Sequence, residues 1–359
     1  MALGNHRDPS GRTNKVAVVA TVRNEATSID LLLQSLLACR RLPDEIVIVD
    51  GGSTDGTLEA LQHWTSRLPQ LRVLSAPGSN IAQGRNSAIT AATADWIAVT
   101  DAGVRLDPDW LAALLLPVEQ AVGRPPDVAS GFFEMAPTNL FELALGATTL
   151  PSATEIKPER FLPSSRSVLF SRASWSAAGG YPEWLDYCED VVFDLALRRN
   201  EARFAWAPNA LVYFRPRPSW AAFCRQYYRY ARGDGKALLW RKRHAIRYGS
   251  YAALAALLAT AARRWRDPAG QVALVVLGAG AAAYLRAPYR RLAQWTAAAP
   301  QHFSRRQRLC LLALLPLLRG AGDAAKMLGY PAGLWWRWQH RYAILHPQPL
   351  SSSERGATD

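Results

Sequence analysis

The chain has 359 residues, a length that suits about two domains, and its 49% apolar content argues against wholesale disorder. The formal net charge of +13 is unevenly distributed, because residues 236–359 hold 19 Lys and Arg against 4 Asp and Glu, or +15, which leaves −2 for residues 1–235. Basic charge confined to the last third argues against a nucleic-acid-binding protein. It favours a near-neutral domain attached to a basic, apolar anchor.

Neither the cysteines nor the N-terminus indicates secretion. The four cysteines lack CxxC spacing and are too few to staple so long a chain, which argues against a zinc site or a disulfide scaffold. Residues 1–14 are predicted to form a disordered N-terminus, and since they lack an apolar run of signal-peptide length, the next domain is expected on the cytosolic side. The cysteines are Cys39, Cys188, Cys224 and Cys310.

From residue 16 onward, short β-branched runs alternate with helical stretches, which is the pattern of βαβ units and a mostly parallel sheet. Asp50 and Asp101 each follow such a run. Because ligands bind beyond the carboxyl ends of parallel strands, both residues are expected at a site. The predicted strands cover 16–22, 45–50, 71–75 and 96–100, and the predicted helices 31–39, 55–67 and 81–93.

The periodicity weakens in the middle of the chain. Residues 131–186 contain several prolines, and we expect irregular loops and short strands there, around an acceptor cleft. Residues 189–199 recover helical spacing. Residues 203–214 are predicted to form two strands separated by Pro208.

The C-terminal third has a different composition. Its uncharged runs at 248–262 and 268–285 are flanked by arginines, but at about 1.5 Å per helical residue only the second approaches the roughly 30 Å of a bilayer core. We predict a basic and apolar helical membrane-association region over 241–345 and a disordered tail over 346–359. Two interpretations stay open for 248–285, namely a transmembrane hairpin with both ends cytosolic and a soluble helical extension.

Several short motifs follow one another in a recognisable order. Together they resemble a family 2 glycosyltransferase with the GT-A fold, over about residues 15–240. The resemblance implies an α/β domain with a Rossmann-like, mostly parallel sheet that binds a nucleotide-diphospho-sugar, followed here by C-terminal membrane-associated helices. The motifs are Asn24-Glu25, Asp50-Gly-Gly-Ser-Thr-Asp-Gly-Thr57, Asn80-Ile-Ala-Gln-Gly-Arg-Asn86, Thr100-Asp-Ala-Gly103, Cys188-Glu-Asp190 and Gln226-Tyr-Tyr-Arg229-Tyr230.

The donor-binding residues implied by the resemblance also suit the chemistry of a nucleotide sugar. A strand-end carboxylate such as Asp50 accepts hydrogen bonds from a base edge or ribose, Gly52 lets the backbone approach closely, and the Arg85 guanidinium matches phosphate geometry. Alternatively, the Asp50 motif is a structural turn and Arg85 a solvated residue on a helix face. The full donor set is Glu25, Asp50, Gly52, Arg85, Asp101, Arg229 and Arg232.

Asp101 stands where the family's Asp-x-Asp metal motif lies. The family's motif binds a divalent metal, which neutralises the donor diphosphate. Here Gly103 replaces the second carboxylate, so we expect Mg²⁺ or Mn²⁺ on Asp101 alone, with water and phosphate completing the shell. Two alternatives are that Arg229, Arg232 and Lys236 replace part of the metal's charge, and that Asp101 caps a helix.

Glycosyl transfer needs a base that removes the proton of the acceptor hydroxyl as its oxygen attacks the anomeric carbon. The resemblance assigns this role to Asp190, with Glu189 as a catalytic neighbour that orients it or raises its pKa. The alternative is an ordinary acidic helix N-terminus. Trp184 just upstream is a candidate acceptor-binding surface, or else a core aromatic.

The segment from Gln226 to Tyr230 is similar to the Gln-x-x-Arg-Trp motif of membrane-bound family members, with Tyr230 in place of Trp. One helical turn separates Gln226 from Arg229 and Tyr230, so all three are expected on one face. Gln226 and Tyr230 are assigned to the acceptor and Arg229 to the diphosphate. The alternative is an arginine-bearing amphipathic helix on lipid headgroups.

Together these features predict a membrane-associated, inverting glycosyltransferase at the cytoplasmic face of a bacterial plasma membrane. It would move a sugar from a nucleoside-diphosphate sugar to a lipid-linked or cell-envelope glycan acceptor. Its expected partners include membrane lipid but no nucleic acid. The alternative is a catalytically weak or inactive nucleotide-sugar-binding scaffold at the membrane, which the missing second carboxylate favours.

Overall fold

The computed structural model describes residues 14–298 and 303–341. The predicted disordered tail, and the predicted N-terminus except for its last residue, lie outside these ranges. The chain divides into two compact units, the first comprising Met1–Trp220 and Ala282–Arg319, the second Ala221–Ala281 and Gly320–Asp359.

The first unit is built on an eight-stranded mixed sheet with the strand order β3-β2-β1-β4-β7-β6-β8-β5. Strands β1 to β4 are mutually parallel, β7 is antiparallel to both β4 and β6, and β8 is parallel to β6. The carboxyl ends of β1, β2, β4, β6 and β8 therefore share one edge. The strands are β1 Val16–Val22, β2 Glu45–Asp50, β3 Leu71–Ser75, β4 Trp96–Val99, β5 Val104–Leu106, β6 Val128–Met135, β7 Val168–Ser171 and β8 Phe204–Phe214.

Eleven α-helices accompany the sheet within the described ranges, together with two short 3-10 turns. They are α1 Ile29–Leu37, α2 Thr57–Trp64, α3 Ile81–Ala91, α4 Trp110–Glu119, α5 Leu140–Thr149, α6 Arg172–Ala177, α7 Glu189–Arg199, α8 Trp220–Ala237, α9 Arg241–Arg263, α10 Pro268–Ala298 and α11 Arg305–Gln339. The 3-10 turns are Ala153–Glu155 and Pro158–Arg160.

Both faces of the parallel strands are buried. In β1, Val16 and Val18 belong to a core cluster that includes Trp110 of α4, whereas Val19 faces a second cluster with Phe193 of α7. Burial on both faces explains why these strands are continuous apolar runs rather than alternating ones. This burial also fixes the positions of the strand ends, where polar residues such as Asp50 lie.

The prediction of an α/β fold with a mostly parallel N-terminal sheet is confirmed. Two expectations need correction. The stretch 131–186 contains an expected short strand, β7, but it also contains two helices, α5 and α6, where irregular loops were expected. Residues 204–214 form one strand, because the register jumps from Ser130↔Trp206 to Phe132↔Leu211 and leaves Pro208 in the irregularity, outside the ladder.

The apolar C-terminal runs are helical. Among the described residues, α10 is the helix that is long and apolar enough to cross a membrane, over Pro268–Ala297, and most of this segment is exposed. The first run lies in α9, which does not meet that criterion.

In the second unit α8 and α11 cross closely, since a Cβ on Gly329 or Gly333 would lie within 2.2 Å of a carbonyl oxygen of α8.

Candidate active site

Polar side chains follow neighbouring strands at the shared carboxyl edge of the sheet. Asp50 ends β2, and Asp101 comes shortly after β4, with β1 between these two strands. At about 4.8 Å per strand, the two strand ends are roughly 10 Å apart. The two carboxylates therefore lie at the same edge of the sheet, about two strand spacings apart.

The Asp50 carboxylate is almost completely buried, with 1% of the residue exposed. One oxygen, Oδ1, accepts hydrogen bonds of 2.9 Å from the backbone N–H groups of Gly52 and Ser53. The other oxygen, Oδ2, is buried and has no hydrogen-bond partner among the residues that the structure describes. A buried acceptor without a partner is costly, and a ligand N–H or O–H group would satisfy it.

The turn after Asp50 requires glycine at position 52. Gly52 has φ +89°, and a Cβ there would lie 3.1 Å from the Cα of Pro77. The loops after β2 and β3 are thus in close contact. Asp55, farther along the turn, accepts from the backbone N–H of Thr57, the first residue of α2, and so acts at the start of that helix.

Glu25 lies beside the same turn. Its backbone N–H donates to Thr57 Oγ1 at 2.8 Å, while its carboxylate accepts a hydrogen bond from the Ser28 hydroxyl. Glu25 therefore joins the loop after β1 to the first turns of α1 and α2. Its predicted contact with the donor stays a prediction.

Arg85 occupies the centre of a buried charge network. Its Nη1 donates to Glu189 Oε1 at 2.6 Å and its Nη2 to Asp101 Oδ1 at 2.9 Å, and the guanidinium lies 5.3 Å from the ring centroid of Tyr181. The side chain is 3% exposed, so Arg85 is not the solvated helix-face residue of the alternative interpretation. The two carboxylates raise its pKa further above the ordinary arginine value, against the effect of burial.

Asp101 is more open, with 29% of its side chain exposed. Its second oxygen, Oδ2, pairs with Arg166 Nε at 3.4 Å, and the Arg166 guanidinium lies 4.9 Å from the Phe214 ring centroid. Asp101 is therefore not a helix cap. Arg166 was not predicted from the sequence, and the available signal was its place two residues before the apolar run that begins β7.

Two adjacent carboxylates open α7. Glu189 is buried and pairs with Arg85, whereas Asp190 is half-buried and accepts from the backbone N–H of Val191. Burial and the charge of Asp190 raise the pKa of Glu189 to about 7, against the opposing effect of Arg85. Of the pair, Asp190 is the more exposed carboxylate. The residue before them, Cys188, has φ +65°, which is strained for a non-glycine residue.

A further buried carboxylate lies one helical turn beyond Asp190. Asp194 Oδ2 is buried without a hydrogen-bond partner among the described residues, and burial, followed by the charge of Asp190, raises the pKa of Asp194 well above its usual value. Asp194 was not predicted as a site residue. The available signal was its i,i+4 spacing from Asp190, which puts both carboxylates on one face of α7.

The described residues contain no cluster of three or more His, Cys, Asp or Glu side chains suited to a metal ion. Asp101 fits as a single ligand, because Mg²⁺ is often held by one or two carboxylates together with substrate phosphates. Gly103 has no side-chain oxygen, and apart from its chain neighbours no described residue lies within 4 Å of the position that its Cβ would take. Any metal at Asp101 would compete with Arg85 and Arg166 for its oxygens.

The predicted acceptor residues lie in different units. Trp184, in the loop before α7, is 39% exposed and lines a cavity of about 400 Å³, so it is not a core aromatic. Gln226 and Tyr230 lie on α8 in the second unit, where Gln226 Nε2 donates to the Tyr230 hydroxyl at 2.8 Å. Arg229 and Arg232 belong to the same helix. The functions assigned to these four α8 residues stay predictions.

Comparisons with known proteins bear on this site. Residues 17–174 match the family model described as Glycosyl transferase family 2. The chain is 28% identical over 234 residues to the succinoglycan biosynthesis protein ExoA of Rhizobium meliloti, which covers 62% of this chain and 69% of that protein. It is 27% identical over 238 residues to the N-acetylglucosaminyl-diphospho-decaprenol L-rhamnosyltransferase of Mycobacterium tuberculosis, which covers 56% and 76%.

The fold is similar to that of the mannosyltransferase PcManGT from Pyrobaculum calidifontis, solved in complex with GDP-Man and Mn²⁺, with a TM-score of 0.52 and 20% sequence identity. The match covers 90% of this chain and 88% of that one. At this identity the similarity concerns the fold alone. The chain spans a much smaller share of other curated relatives that it matches, 30% of one and 10% of another.

Proposed function

By its residues 17–174 the chain belongs to glycosyl transferase family 2, and from that premise we propose that it transfers a sugar from a nucleoside-diphosphate sugar to a cell-envelope glycan. The observation that carries the proposal is that Arg85 lies between Asp101 and Glu189 at the carboxyl edge of the sheet. Glu189 is the residue directly before Asp190 in the chain. A buried guanidinium held by two carboxylates fixes their positions. A fixed site of this kind suits a diphosphate next to an acceptor hydroxyl.

The donor nucleotide would occupy the space beyond β1 and β2. There Asp50 Oδ2 offers an acceptor without a partner among the described residues, which a base N–H or a ribose hydroxyl would fill. The diphosphate would extend toward Asp101. Arg166 and Arg85 already contact that carboxylate and would provide positive charge near the leaving group.

A divalent cation is the second source of positive charge in the proposal. Asp101 would be its protein ligand, and when bound the cation would neutralise the charge that develops on the departing diphosphate. Mg²⁺ and Mn²⁺ both suit a carboxylate and phosphate oxygens.

The transfer step would be a single displacement with inversion. The acceptor oxygen attacks the anomeric carbon and forms the new C–O bond, its proton passes to the carboxylate of Asp190, and the nucleoside diphosphate leaves with the electron pair of the broken bond. Glu189, held by its ion pair with Arg85, would position the first turn of α7 and so orient Asp190. Trp184 would provide an exposed stacking face for a sugar ring.

We place the reaction at the cytoplasmic face of the bacterial inner membrane. The +15 charge of residues 236–359 would attract anionic lipid, at about 1 kcal/mol per basic residue near the surface, and the exposed apolar part of α10 would add to this attachment. One similar protein has a diphospho-decaprenol acceptor in its name. A lipid-linked acceptor is therefore the class that we propose first.

The second candidate is a nucleotide-sugar-binding scaffold with little or no turnover. Gly103 favours it, because the metal motif lacks its second carboxylate. The proposals are separated by a thermal-shift panel of UDP-, GDP- and dTDP-sugars with and without Mn²⁺, followed by an assay for released nucleoside diphosphate. Donor binding with release supports the transferase, binding without release under any metal supports the scaffold, and the absence of any donor shift contradicts both.

A further inference from the structure

We propose that a second cavity of the first unit, between the carboxyl end of β6 and the second half of α10, binds one sugar ring of the acceptor glycan. The cavity has a volume of about 270 Å³. The inference rests on the proposed transferase function, and it names a specific place for part of the acceptor. The motifs of the sequence do not include any residue of this cavity.

The cavity lies at the same sheet edge as the candidate active site. Because β6 runs parallel to β4, its last residues end on the side where Asp101 follows β4. A chain of contacts joins the two places, since the ring of Phe133 in the cavity wall lies 5.8 Å from the Phe214 ring, and Phe214 lies under the guanidinium of Arg166. Arg166 in turn pairs with Asp101.

The lining combines aromatic faces with hydrogen-bonding groups. Phe133 and Trp295 provide rings, while Glu134 and Gln294 provide a carboxylate and an amide. Sugar rings are recognised by this combination, because their C–H faces pack on aromatic rings and their hydroxyls donate to carboxylates and amides. The volume is just below the roughly 300–1,000 Å³ of pockets for drug-sized ligands, so it suits a single ring rather than an oligosaccharide.

One wall of the cavity is held in place by ionic contacts. The segment 150–153 forms this wall, and Glu155 beside it accepts from the backbone N–H of Ser152 at 3.0 Å. The same carboxylate pairs with Arg290 and, at 2.7 Å, with Arg291 of α10. Glu155 thus joins the wall to the helix that carries Trp295, and the cavity is preorganised rather than a gap between mobile segments.

The experiment uses the full-length protein and a panel of methyl glycosides of glucose, galactose, mannose, rhamnose and N-acetylglucosamine. Saturation-transfer NMR measures their binding, with n-octanol as an apolar probe. We expect at least one glycoside to bind, Trp295→Ala to weaken it about tenfold, and Glu134→Gln to weaken it less. Trp295→Phe keeps a ring and should retain most of the binding. Trp265→Ala, at an exposed tryptophan outside the cavity, should change nothing.

Three results would overturn the inference: no glycoside binds, glycoside binding survives Trp295→Ala unchanged, or the cavity binds n-octanol and no sugar. Equal thermal midpoints for wild type and the Trp295 variants exclude unfolding as the cause of a loss. Nucleotide-sugar binding is measured on the same samples. If donors bind but glycoside binding is the same in wild type and Trp295→Ala, only the cavity assignment fails. If wild type binds no donor, the transferase proposal itself is contradicted.

Discussion

The guanidinium of Arg85 donates a 2.6 Å hydrogen bond to the carboxylate of Glu189, which lies 104 residues later in the chain. The contact joins α3, which follows the third strand, to the first turn of α7. Since Arg85 also binds Asp101, one buried cation fixes both the strand end and the helix start that the proposed reaction needs.

Replacing Arg85 tests whether this cation organises the site. Arg85→Ala leaves Glu189 buried beside Asp190 without its counter-charge, and breaking a buried ion pair typically costs about 3–5 kcal/mol. We expect a loss of that order in the free energy of unfolding, measured by urea denaturation. Arg23→Ala, at an exposed arginine after β1, should stay within about 0.5 kcal/mol of wild type. Equal stabilities for the two variants would contradict the organising role.

The raised pKa of Glu189 predicts a pH-dependent stability difference. Its folded-state pKa of about 7 exceeds the ordinary value of 4.5, so the folded protein holds this proton more tightly than the unfolded chain does. The protonated Glu189 side chain therefore contributes its full stability to the fold below pH 4.5, and this contribution is lost as the pH rises through 7. Glu189→Gln cannot ionise and avoids this loss.

The stability of Glu189→Gln relative to wild type should therefore increase between pH 4.5 and 7, by up to about 3 kcal/mol. Thermal unfolding of both proteins across this range measures the change. A difference between the two proteins that stays constant with pH would show that Glu189 does not titrate there.

Two glycines of the same turn form a matched pair. Gly52 and Gly56 both have φ near +90°, but only at Gly52 would a Cβ meet a neighbour, the Cα of Pro77 at 3.1 Å. Gly56→Ala should cost about 1–2 kcal/mol from backbone strain alone. Gly52→Ala should cost more and also weaken donor binding, because it displaces the loop whose N–H groups donate to Asp50 Oδ1. Stability is measured by thermal shift and donor affinity by calorimetry. Similar values for Gly52→Ala and Gly56→Ala would contradict the greater importance of Gly52.

Restoring the second carboxylate tests the metal proposal. The variant is Gly103→Asp, and position 103 accepts a Cβ, since apart from its chain neighbours no described residue lies within 4 Å of that position. A second carboxylate should strengthen Mn²⁺-dependent donor binding by about tenfold, because hard cations gain affinity from each added oxygen ligand. Calorimetric titration with a nucleoside-diphosphate sugar, with Mn²⁺ or EDTA, measures the effect. Gly103→Asn is the uncharged control, and an equal effect of both variants would argue against a metal beside Asp101.

The N-terminal half of the sheet was predictable because its signals are local. Strands β1, β2 and β3 have the predicted bounds, since buried parallel strands are continuous apolar runs between helices. Asp50 was placed at a strand end by the same logic.

The unpredicted features depend on contacts between distant residues. The burial of Arg85 depends on Glu189 and Asp101, and Arg166 reaches the site only because β7 enters the sheet antiparallel, next to β4. The local periodicity of a sequence does not indicate ion pairs or strand pairing between such distant residues. Pro208 misled the strand prediction for the same reason, because the irregularity that accommodates it involves the pairing with β6.

The most direct test of the proposed mechanism is Asp190→Asn, assayed for donor affinity and for release of nucleoside diphosphate with the nucleotide sugar that binds best. The amide keeps the size of the side chain but cannot accept the acceptor proton. We predict unchanged donor affinity and a fall in turnover of about 100-fold or more, within the range of lost general-base catalysis. Turnover equal to wild type in this variant would contradict the assignment of Asp190 as the base.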